Sequence, residues 1–435
     1  MQTLGTGRLA AVAVCFGIIC SFGAAQQKSA DADHWVASWA TAQELAPTEP
    51  DRPILPPEVK RPDFAGQRPA QRPPVPTALE NQTVRMTVHM SAGGKKIRIE
   101  LSNATGKKPV LIGAAHIGLR ASGSSIVAGS DRVLTFGGRN EVTLEPGMLL
   151  TSDSADLAVP AESDVEVSLF VKSSGGSVTT HTLGLHTAQI ADGDVSGSTA
   201  VVSTSTTLAY LWLSSVDVMA PKDSFAIVTL GDSITDGFKT TPDTDQAWPT
   251  LLAKRLHADN HTHAVSVLNQ GISGNEVLHD GAGISALARF DRDVLGHPGV
   301  AWLVLLEGIN DINIHGQHSN PGALTADDLI AGYRQIIERA HMHGIRVMGA
   351  TLTPEEGVWL AGPKGEVTRN KVNEWIRTSG VFDAVVDFDK VIRDPQHLAR
   401  MRPETDSGDH IHPNDRGNHD MADAFSLAAF TASKR

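Results

Sequence analysis

Four short blocks in the second half of the chain carry side chains that together could perform acyl transfer. They are Gly231-Asp232-Ser233, Asn269-Gln270-Gly271, Gly308-Ile309-Asn310-Asp311 and Asp409-His410-Ile411-His412. The blocks supply a hydroxyl, an imidazole, a carboxylate and several N–H donors, which are the components of a serine esterase. Each block alone is a weak signal, because turns and helix caps use the same residue types.

Ser233 and His412 are the predicted nucleophile and base. Asp409 lies three residues before His412, so its carboxylate can bind Nδ1 and leave Nε2 facing outward as a base. A serine hydroxyl is a weak nucleophile until such a base is within reach. The alternatives are a capped strand–helix turn at Ser233 and a surface Asp–His pair at a helix entry.

The predicted oxyanion hole consists of the backbone N–H groups of Ser233 and Gly271 and the side-chain amide of Asn310. Each residue follows a predicted strand, and the carboxyl ends of parallel strands share one edge of a sheet. The alternatives are a turn glycine and an asparagine in an Asx turn. We assign Asp232 to a hydrogen bond within its turn, and Asp311 to fixing its loop.

Strands and helices alternate in the region that carries these blocks. Continuous apolar runs, typical of strands buried on both faces, occupy residues 225–230, 264–268, 300–306, 345–350 and 384–388. An apolar stripe predicts a helix over residues 325–343, with Thr325 and Asp328 as a capping box and Gly344 after its end. A final helix is predicted from Asp415 to Ala432. This pattern indicates a parallel sheet with helices on both faces.

The first half of the chain follows a two-residue period instead. Val84, Met86, Val88 and Met90 alternate with polar residues, as in a strand with one buried face. We predict an all-β sandwich domain over residues 34–221, with the jelly roll as a candidate type, and a catalytic domain over residues 222–435. Crowded prolines make residues 44–77 an extended loop.

The four blocks resemble those of the SGNH or GDSL-type hydrolase superfamily over roughly residues 223–432. The resemblance implies a three-layer α/β/α, flavodoxin-like fold. It also implies Ser233 as nucleophile, His412 as base, Asp409 as its orienting carboxylate, and Ser233, Gly271 and Asn310 as the oxyanion hole. Ile234 stands where the family's name-giving block has leucine, which is an exchange between apolar residues of similar size.

Three N-terminal segments are similar to those of the acetylxylan-esterase-like branch of that superfamily, whose members carry a β-domain before the catalytic domain. These segments are Trp35 to Trp39, Asn81 to Arg85 and Ile97 to Asn103. This resemblance implies a carbohydrate ester as substrate.

The N-terminus predicts export of the protein. Residues 1–25 combine Arg8, an apolar run from Leu9 to Phe22 and small residues before a cleavage point, as in a secretory signal peptide. The alternative is an uncleaved anchor. Both cysteines, Cys15 and Cys20, lie in this segment, so the mature chain would have no disulfide. We expect a secreted or periplasmic protein without membrane attachment after cleavage.

Composition excludes some partners. A formal net charge of −12 on 435 residues disfavours nucleic acid, which needs a basic surface. Three His-x-His pairs are present at 261/263, 341/343 and 410/412, but zinc needs three or four convergent ligands, so we expect no metal and no cofactor.

Trp359, in a Gly- and Pro-rich loop after the fourth strand, is a candidate for stacking on a substrate sugar or for packing on the β-domain.

The sequence therefore predicts a secreted serine esterase that hydrolyses carboxylic esters on carbohydrates, acetyl esters foremost, through an acyl-enzyme. One alternative keeps the chemistry and changes the substrate, giving a lipolytic esterase or lysophospholipase. A second is a glycan-binding protein with an inactive hydrolase fold. A third is acyl transfer to a sugar hydroxyl, since any nearby hydroxyl can intercept an acyl-enzyme.

Overall fold

A computed structural model describes residue 2 and residues 33–44, 73–176, 178–316 and 323–431. The predicted signal peptide, apart from residue 2, and most of the proline-rich loop at 44–77 lie outside the described residues. Within the described part, residues 33–220 hold antiparallel sheets and residues 225–430 hold a parallel sheet with helices.

Fourteen strands make up the antiparallel part among the described residues. They are β1 (His34–Ala40), β2 (Glu80–Met90), β3 (Ile97–Ser102), β4 (Val110–Ser122), β5 (Ser125–Ile126), β6 (Arg132–Leu134), β7 (Val142–Leu144), β8 (Leu149–Thr151), β9 (Ser163–Ser173), β10 (Thr180–His181), β11 (Ala188–Asp192), β12 (Ser205–Thr207), β13 (Tyr210–Leu211) and β14 (Leu213–Ala220). One sheet has the order β1-β14-β3-β8, and a larger one the order β12-β11-β2-β9-β4-β5, with β6 and β7 also on β4.

Alternating apolar residues build the core of this part. Val84 and Met86 of β2 lie opposite Leu169 and Val167 of β9, and all four side chains are fully buried. Because the period of a strand is two residues, this register puts every second residue of both strands on the same buried face. The predicted β-rich N-terminal region is confirmed.

The second part contains a five-stranded parallel sheet, a small hairpin and eight α-helices among the described residues. The strands are β15 (Phe225–Gly231), β16 (Val265–Gly271), β17 (Val300–Leu306), β18 (Arg346–Ala350), β19 (Ala384–Val386), β20 (Arg393–Asp394) and β21 (His397–Met401). The helices are α1 (Ser233–Asp236), α2 (Trp248–Ala258), α3 (Ala286–Phe290), α4 (Ile309–His315), α5 (Ala326–Met342), α6 (Pro363–Thr378), α7 (Phe388–Ile392) and α8 (Asp415–Asp423); a π-helix spans Asp291–Leu295 and a 3-10 helix Leu427–Phe430.

The parallel sheet has the strand order β16-β15-β17-β18-β19. Counted within the sheet this is the doubly wound order 2-1-3-4-5, in which successive strands are added on opposite sides of β15. This switch between β15 and β17 leaves a crevice at their carboxyl ends. Helix α2 packs with α8, while α5 packs with α3 and α6. The predicted α/β class with a parallel sheet is confirmed.

Local signals place the ends of the helices. Thr325 caps α5, and its hydroxyl and Asp328 form the reciprocal bonds of a capping box, as predicted. The predicted final helix is wrong in its length, because α8 ends at Asp423. The chain leaves the helix there and buries Phe425 against Trp248, with ring centroids 5.5 Å apart.

The described residues between 33 and 431 pack as one compact unit. Ser266 Oγ, in β16 of the parallel sheet, donates a 2.6 Å hydrogen bond to the carbonyl of Ala37 in β1. Val267 N–H donates to Ser91 Oγ at 3.1 Å. The antiparallel part therefore covers the β16 edge of the parallel sheet. None of the described helices has the length and apolar character needed to cross a membrane.

Candidate active site

Ser233 stands at the start of α1, immediately beyond the carboxyl end of β15. A Cβ on Gly231 would come within 2.1 Å of Thr235 Oγ1 and 2.4 Å of the Leu306 carbonyl, so only glycine allows this sharp turn. Asp232 caps the helix by accepting a 2.9 Å hydrogen bond from Ile234 N–H, which is the structural role predicted for it.

Three side chains form a continuous hydrogen-bonded chain at this point. Ser233 Oγ lies 2.8 Å from His412 Nε2, and His412 Nδ1 lies 2.8 Å from Asp409 Oδ2. A carboxylate accepts hydrogen bonds, so Nδ1 carries the proton and the lone pair of Nε2 faces the serine. This tautomer lets His412 take the proton of a serine that attacks a carbonyl.

Asp409 is held in its ionised form. Its Oδ1 accepts hydrogen bonds from the N–H groups of His412, at 3.0 Å, and Ile411, at 3.3 Å. Burial by itself would raise the pKa of Asp409, but the bonds from His412 outweigh it and hold this pKa well below its usual value. The ring of Phe238 packs against the imidazole with centroids 4.6 Å apart, which restrains His412 on a second side.

Asn310 lies in the first turn of α4, beyond the carboxyl end of β17. Its Nδ2 donates one hydrogen bond to the carbonyl of Asn275 at 2.9 Å. An amide NH₂ has two donors, and the second N–H has no acceptor among the described residues, so it can bind a ligand. Ser233 N–H, at the first position of α1, has no acceptor within its own helix. Both groups lie beyond the carboxyl ends of the strands, on the same side of the sheet as the nucleophile.

Gly271 is placed differently from the other two predicted oxyanion donors. Its N–H donates to Asn269 Oδ1 at 2.9 Å, so in this structure that donor already has an acceptor. In the turn from Ile272 to Asn275, Gly274 has φ +81°, and its N–H has no hydrogen-bond partner among the described residues. Gly274 is not among the residues predicted from the sequence, although it follows Gly271 by only three positions.

Arg289 of α3 connects the strand ends that carry these groups, and its side chain is fully buried. Nη2 donates to the carbonyl of Gly231 at 3.1 Å, and Nη1 donates to the carbonyl of Gln270 at 2.7 Å. Nε donates to Asn275 Oδ1 at 2.9 Å. Sequence reasoning missed this residue, because a lone arginine on a short helix carries no signal of burial.

Buried carboxyl groups surround this guanidinium. Burial raises the pKa of Asp232 to about 7 and, with the neighbouring Asp232, raises the pKa of Glu307 well above its usual value. Asp311, which the sequence assigns to fixing its own loop, accepts hydrogen bonds from the N–H groups of Val277 and Leu278 and so fixes the loop after β16. Burial raises the pKa of Asp311 to about 7 as well.

Trp359 lies in the loop after β18, and its side chain is 38% exposed. This loop adjoins the segment that carries the base, since a Cβ on Gly357 would lie 2.9 Å from His410 Cδ2. The structure thus places Trp359 on the same side of the sheet as His412. Whether it stacks on a substrate sugar stays a prediction.

Three groups of side chains in the described part have a geometry that could hold a metal ion. They are Glu276 with His279 and His315, Glu44 with His181 and Asp236, and His89 with Asp164 and Asp245. None of these groups, as far as the described residues go, contains a member of the three His-x-His pairs considered from the sequence. Of those pairs, His341 contacts Asp383 and His410 contacts Asp406.

Residues 229–419 match the model of the GDSL-like lipase/acylhydrolase family. No curated protein matches the chain. Similar solved structures include an acetylxylan esterase from Geobacillus stearothermophilus (22% identity, 47% of this chain and 93% of that chain, TM-score 0.37). A second is an aryl esterase of M. smegmatis (18% identity, 46% of this chain and 96% of that chain, TM-score 0.37). A third is a GDSL-like lipase from Bacteroides thetaiotaomicron VPI-5482 (20% identity, 48% of this chain and 89% of that chain, TM-score 0.34).

The buried carboxyls predict a stability that falls as pH rises. In the folded chain Asp232 and Asp311 keep their protons up to about pH 7, whereas in the unfolded chain they ionise near the ordinary value of 3.8. Between these values the folded state binds more protons, so the free energy of unfolding decreases with increasing pH. We expect a lower melting temperature at pH 8 than at pH 5.5.

Glu307→Gln should reduce this dependence, because an amide binds no proton in this range. The control is Glu374→Gln, which changes an exposed residue of α6 and should keep the parent's slope of melting temperature against pH. An unchanged slope in Glu307→Gln would show that Glu307 is ionised in the folded protein.

Proposed function

We propose that this carboxylic ester hydrolase, whose residues 229–419 match the model of the GDSL-like lipase/acylhydrolase family, acts as an exported serine esterase on acylated carbohydrates. Acetyl esters would be its foremost substrates. The observation that carries the mechanism is the chain of hydrogen bonds from Asp409 through His412 to Ser233.

The first half-reaction forms an acyl-enzyme. Ser233 Oγ attacks the ester carbonyl while its proton passes to His412 Nε2, and Asp409 stabilises the imidazolium. The tetrahedral intermediate collapses, the bond to the alcohol oxygen breaks, and the leaving alcohol takes the proton from His412. In the second half-reaction water attacks the acyl group with His412 again as base. The carboxylic acid then leaves, and Ser233 regains its proton.

The negative charge of the tetrahedral intermediate would be stabilised by N–H donors at the sheet edge. We propose the N–H of Ser233 and the second N–H of Asn310 as two of them. The loop from Gly271 to Asn275 would supply the third. Gly271 was the residue expected from sequence, but its N–H would first have to leave Asn269 Oδ1, whereas Gly274 N–H needs no such change.

A carbohydrate substrate is supported by the polar surroundings of the base. His410 and Lys239 are 52% and 33% exposed beside Asp409 and His412, and such side chains suit sugar hydroxyls better than long acyl chains. Trp359 adds an exposed ring on the same side, and aromatic rings offer apolar faces to sugars. The N-terminal sequence segments that resemble acetylxylan-esterase-like proteins also favour this class.

Export is supported by the sequence of residues 1–25, with its apolar run and small residues at the cleavage point. Cleavage after this segment would release a secreted or periplasmic protein. The mass of the mature chain, purified from a host with a functional export pathway, would identify the cleavage point.

The proposed activity is tested by rates on a panel of esters. Acetylated xylo-oligosaccharides should be hydrolysed with a higher kcat/KM than long-chain 4-nitrophenyl esters. A fluorophosphonate probe should label the parent protein and leave Ser233→Ala unlabelled. Faster hydrolysis of the long-chain esters would replace the carbohydrate with a lipid substrate. Absence of labelling in the parent would refute the serine mechanism.

Asn310→Ala should lower kcat by about 10²–10³-fold, the usual effect of removing one oxyanion donor. Its KM should change little, because the developing charge exists only in the transition state. Asn370→Ala, which removes an exposed amide of α6, is the matched control and should retain the parent's kcat. Equal kcat values for Asn310→Ala and the parent would exclude Asn310 from the oxyanion hole.

Trp359→Ala should raise KM for a polymeric acetylated glycan and leave KM for 4-nitrophenyl acetate near the parent's value. The reason is that stacking needs a sugar ring, which the small ester lacks. If KM for the polymer is also unchanged, the ring serves only to pack the loop.

A further inference from the structure

His181 belongs to the antiparallel part, yet its ring contacts the short helix that begins with Ser233. His181 lies in β10, and its Nε2 is 3.0 Å from Oδ1 of Asp236, the last residue of α1. The two side chains are 4% and 2% exposed. Removing one partner of such a buried ion pair strongly destabilises the folded protein, because the other charge stays buried and unpaired. The loss of His181 would therefore affect both parts of the chain.

Asp236 in turn holds the loop after β16. Its Oδ2 accepts hydrogen bonds from Ser273 N–H at 2.9 Å and from Ser273 Oγ at 2.6 Å. Gly271 packs so closely that a Cβ there would lie 2.3 Å from Asp236 N. The position of Asp236 therefore sets the distance between the nucleophile helix and the loop that offers N–H donors to an oxyanion.

The ring of His181 carries a positive charge in this arrangement. Its Nδ1 lies 2.9 Å from the carbonyl of Ala42, and its Nε2 faces a carboxylate, so both nitrogens meet acceptors and both must donate. Burial opposes the charge, but Asp236 and Glu44 together raise the pKa of His181 to about 9. Neither nitrogen has a lone pair free for a metal ion.

A second set of contacts runs alongside this pair. Asp243 N–H donates to the carbonyl of Leu185 at 2.8 Å, and Thr187 N–H donates to Asp243 Oδ1 at 2.7 Å. The segment 180–187 of the antiparallel part thus follows the chain from residue 236 to residue 243, directly after the nucleophile helix. The contact at His181 is part of a continuous interface.

We propose that His181 is a positioning residue of the esterase, through which the antiparallel part holds Asp236 and thereby aligns the loop 271–275 with Ser233. This inference rests on the proposed serine mechanism. It gives the N-terminal part a role in catalysis besides covering the sheet edge, since the catalytic part alone lacks the cation that Asp236 binds.

Two substitutions separate the two bonds of the ring. In His181→Gln the side-chain Nε2 can occupy the place of the histidine Nε2 and still donate to Asp236. In His181→Asn the Nδ2 can replace Nδ1 and donate to the Ala42 carbonyl, but it cannot reach Asp236. Both variants lose the charge, so a difference between them reports the bond to Asp236.

The full-length variants are assayed on 4-nitrophenyl acetate, with active sites counted by fluorophosphonate titration. His181→Asn should lower kcat by about 10- to 10²-fold, on the scale that a small misplacement of catalytic groups produces, with little change in KM. His181→Gln should recover most of this loss. His186→Asn is the control, because His186 binds Asp245 in the same interface at 2.9 Å without contacting Asp236; it should keep the parent's kcat. Equal kcat values for the Asn and Gln variants would overturn the proposal.

Hydrogen exchange gives a readout that does not depend on esterase activity. Peptides covering residues 268–276 should exchange faster in His181→Asn than in the parent and His181→Gln, because Ser273 N–H loses a firmly held acceptor. Unchanged exchange in His181→Asn would overturn the positioning role even if the parent hydrolyses esters. Faster exchange in His181→Asn, found together with a parent that hydrolyses no ester, would support the positioning role while refuting the proposed function.

Discussion

The buried guanidinium of Arg289 joins the two strand ends on which the geometry of the site depends. It binds the carbonyl of Gly231, two residues before the nucleophile, and the carbonyl of Gln270, just before the loop with the N–H donors. It also binds the side chain of Asn275, whose carbonyl holds Asn310. One planar cation with five donors therefore fixes the relative positions of three separate segments, which separate hydrogen bonds along each strand could not do.

The carboxyl groups that surround this cation are costly to bury. Both carboxyl oxygens of Glu307 and one of Asp232 have no hydrogen-bond partner among the described residues, and burial raises the pKa of both groups. Apolar residues of the same size would often be as stable or more stable in such a place. A site that must hold several donors in one orientation needs polar groups, even though burying them lowers the stability of the fold. The ion pair of His181 with Asp236 extends this polar network into the antiparallel part.

Features that depend on near neighbours in sequence were predictable. The spacing of Asp409 and His412 indicated the hydrogen bond that orients the ring, and the structure has it at 2.8 Å. The capping box of α5 and the buried parallel strands followed equally from local patterns, because caps and periodicity involve residues within a few positions of each other. The final helix was predicted too long, since the burial of Phe425 against Trp248 is a tertiary effect that overrides local helical preference.

The sequence by itself determined the residue types of the site, the class of the fold and the local orientation of the base. Only the tertiary structure decided that Ser233 forms a hydrogen bond with His412, which is 179 positions away in the sequence. It also decided that the N–H of Gly271 donates to Asn269 and that His181 lies against Asp236. These contacts depend on strand order and on the packing of two parts of the chain, and no periodicity or spacing encodes which distant polar groups become buried together. The physical reason is that a buried charge is stable only beside its partner, and the fold as a whole selects that partner.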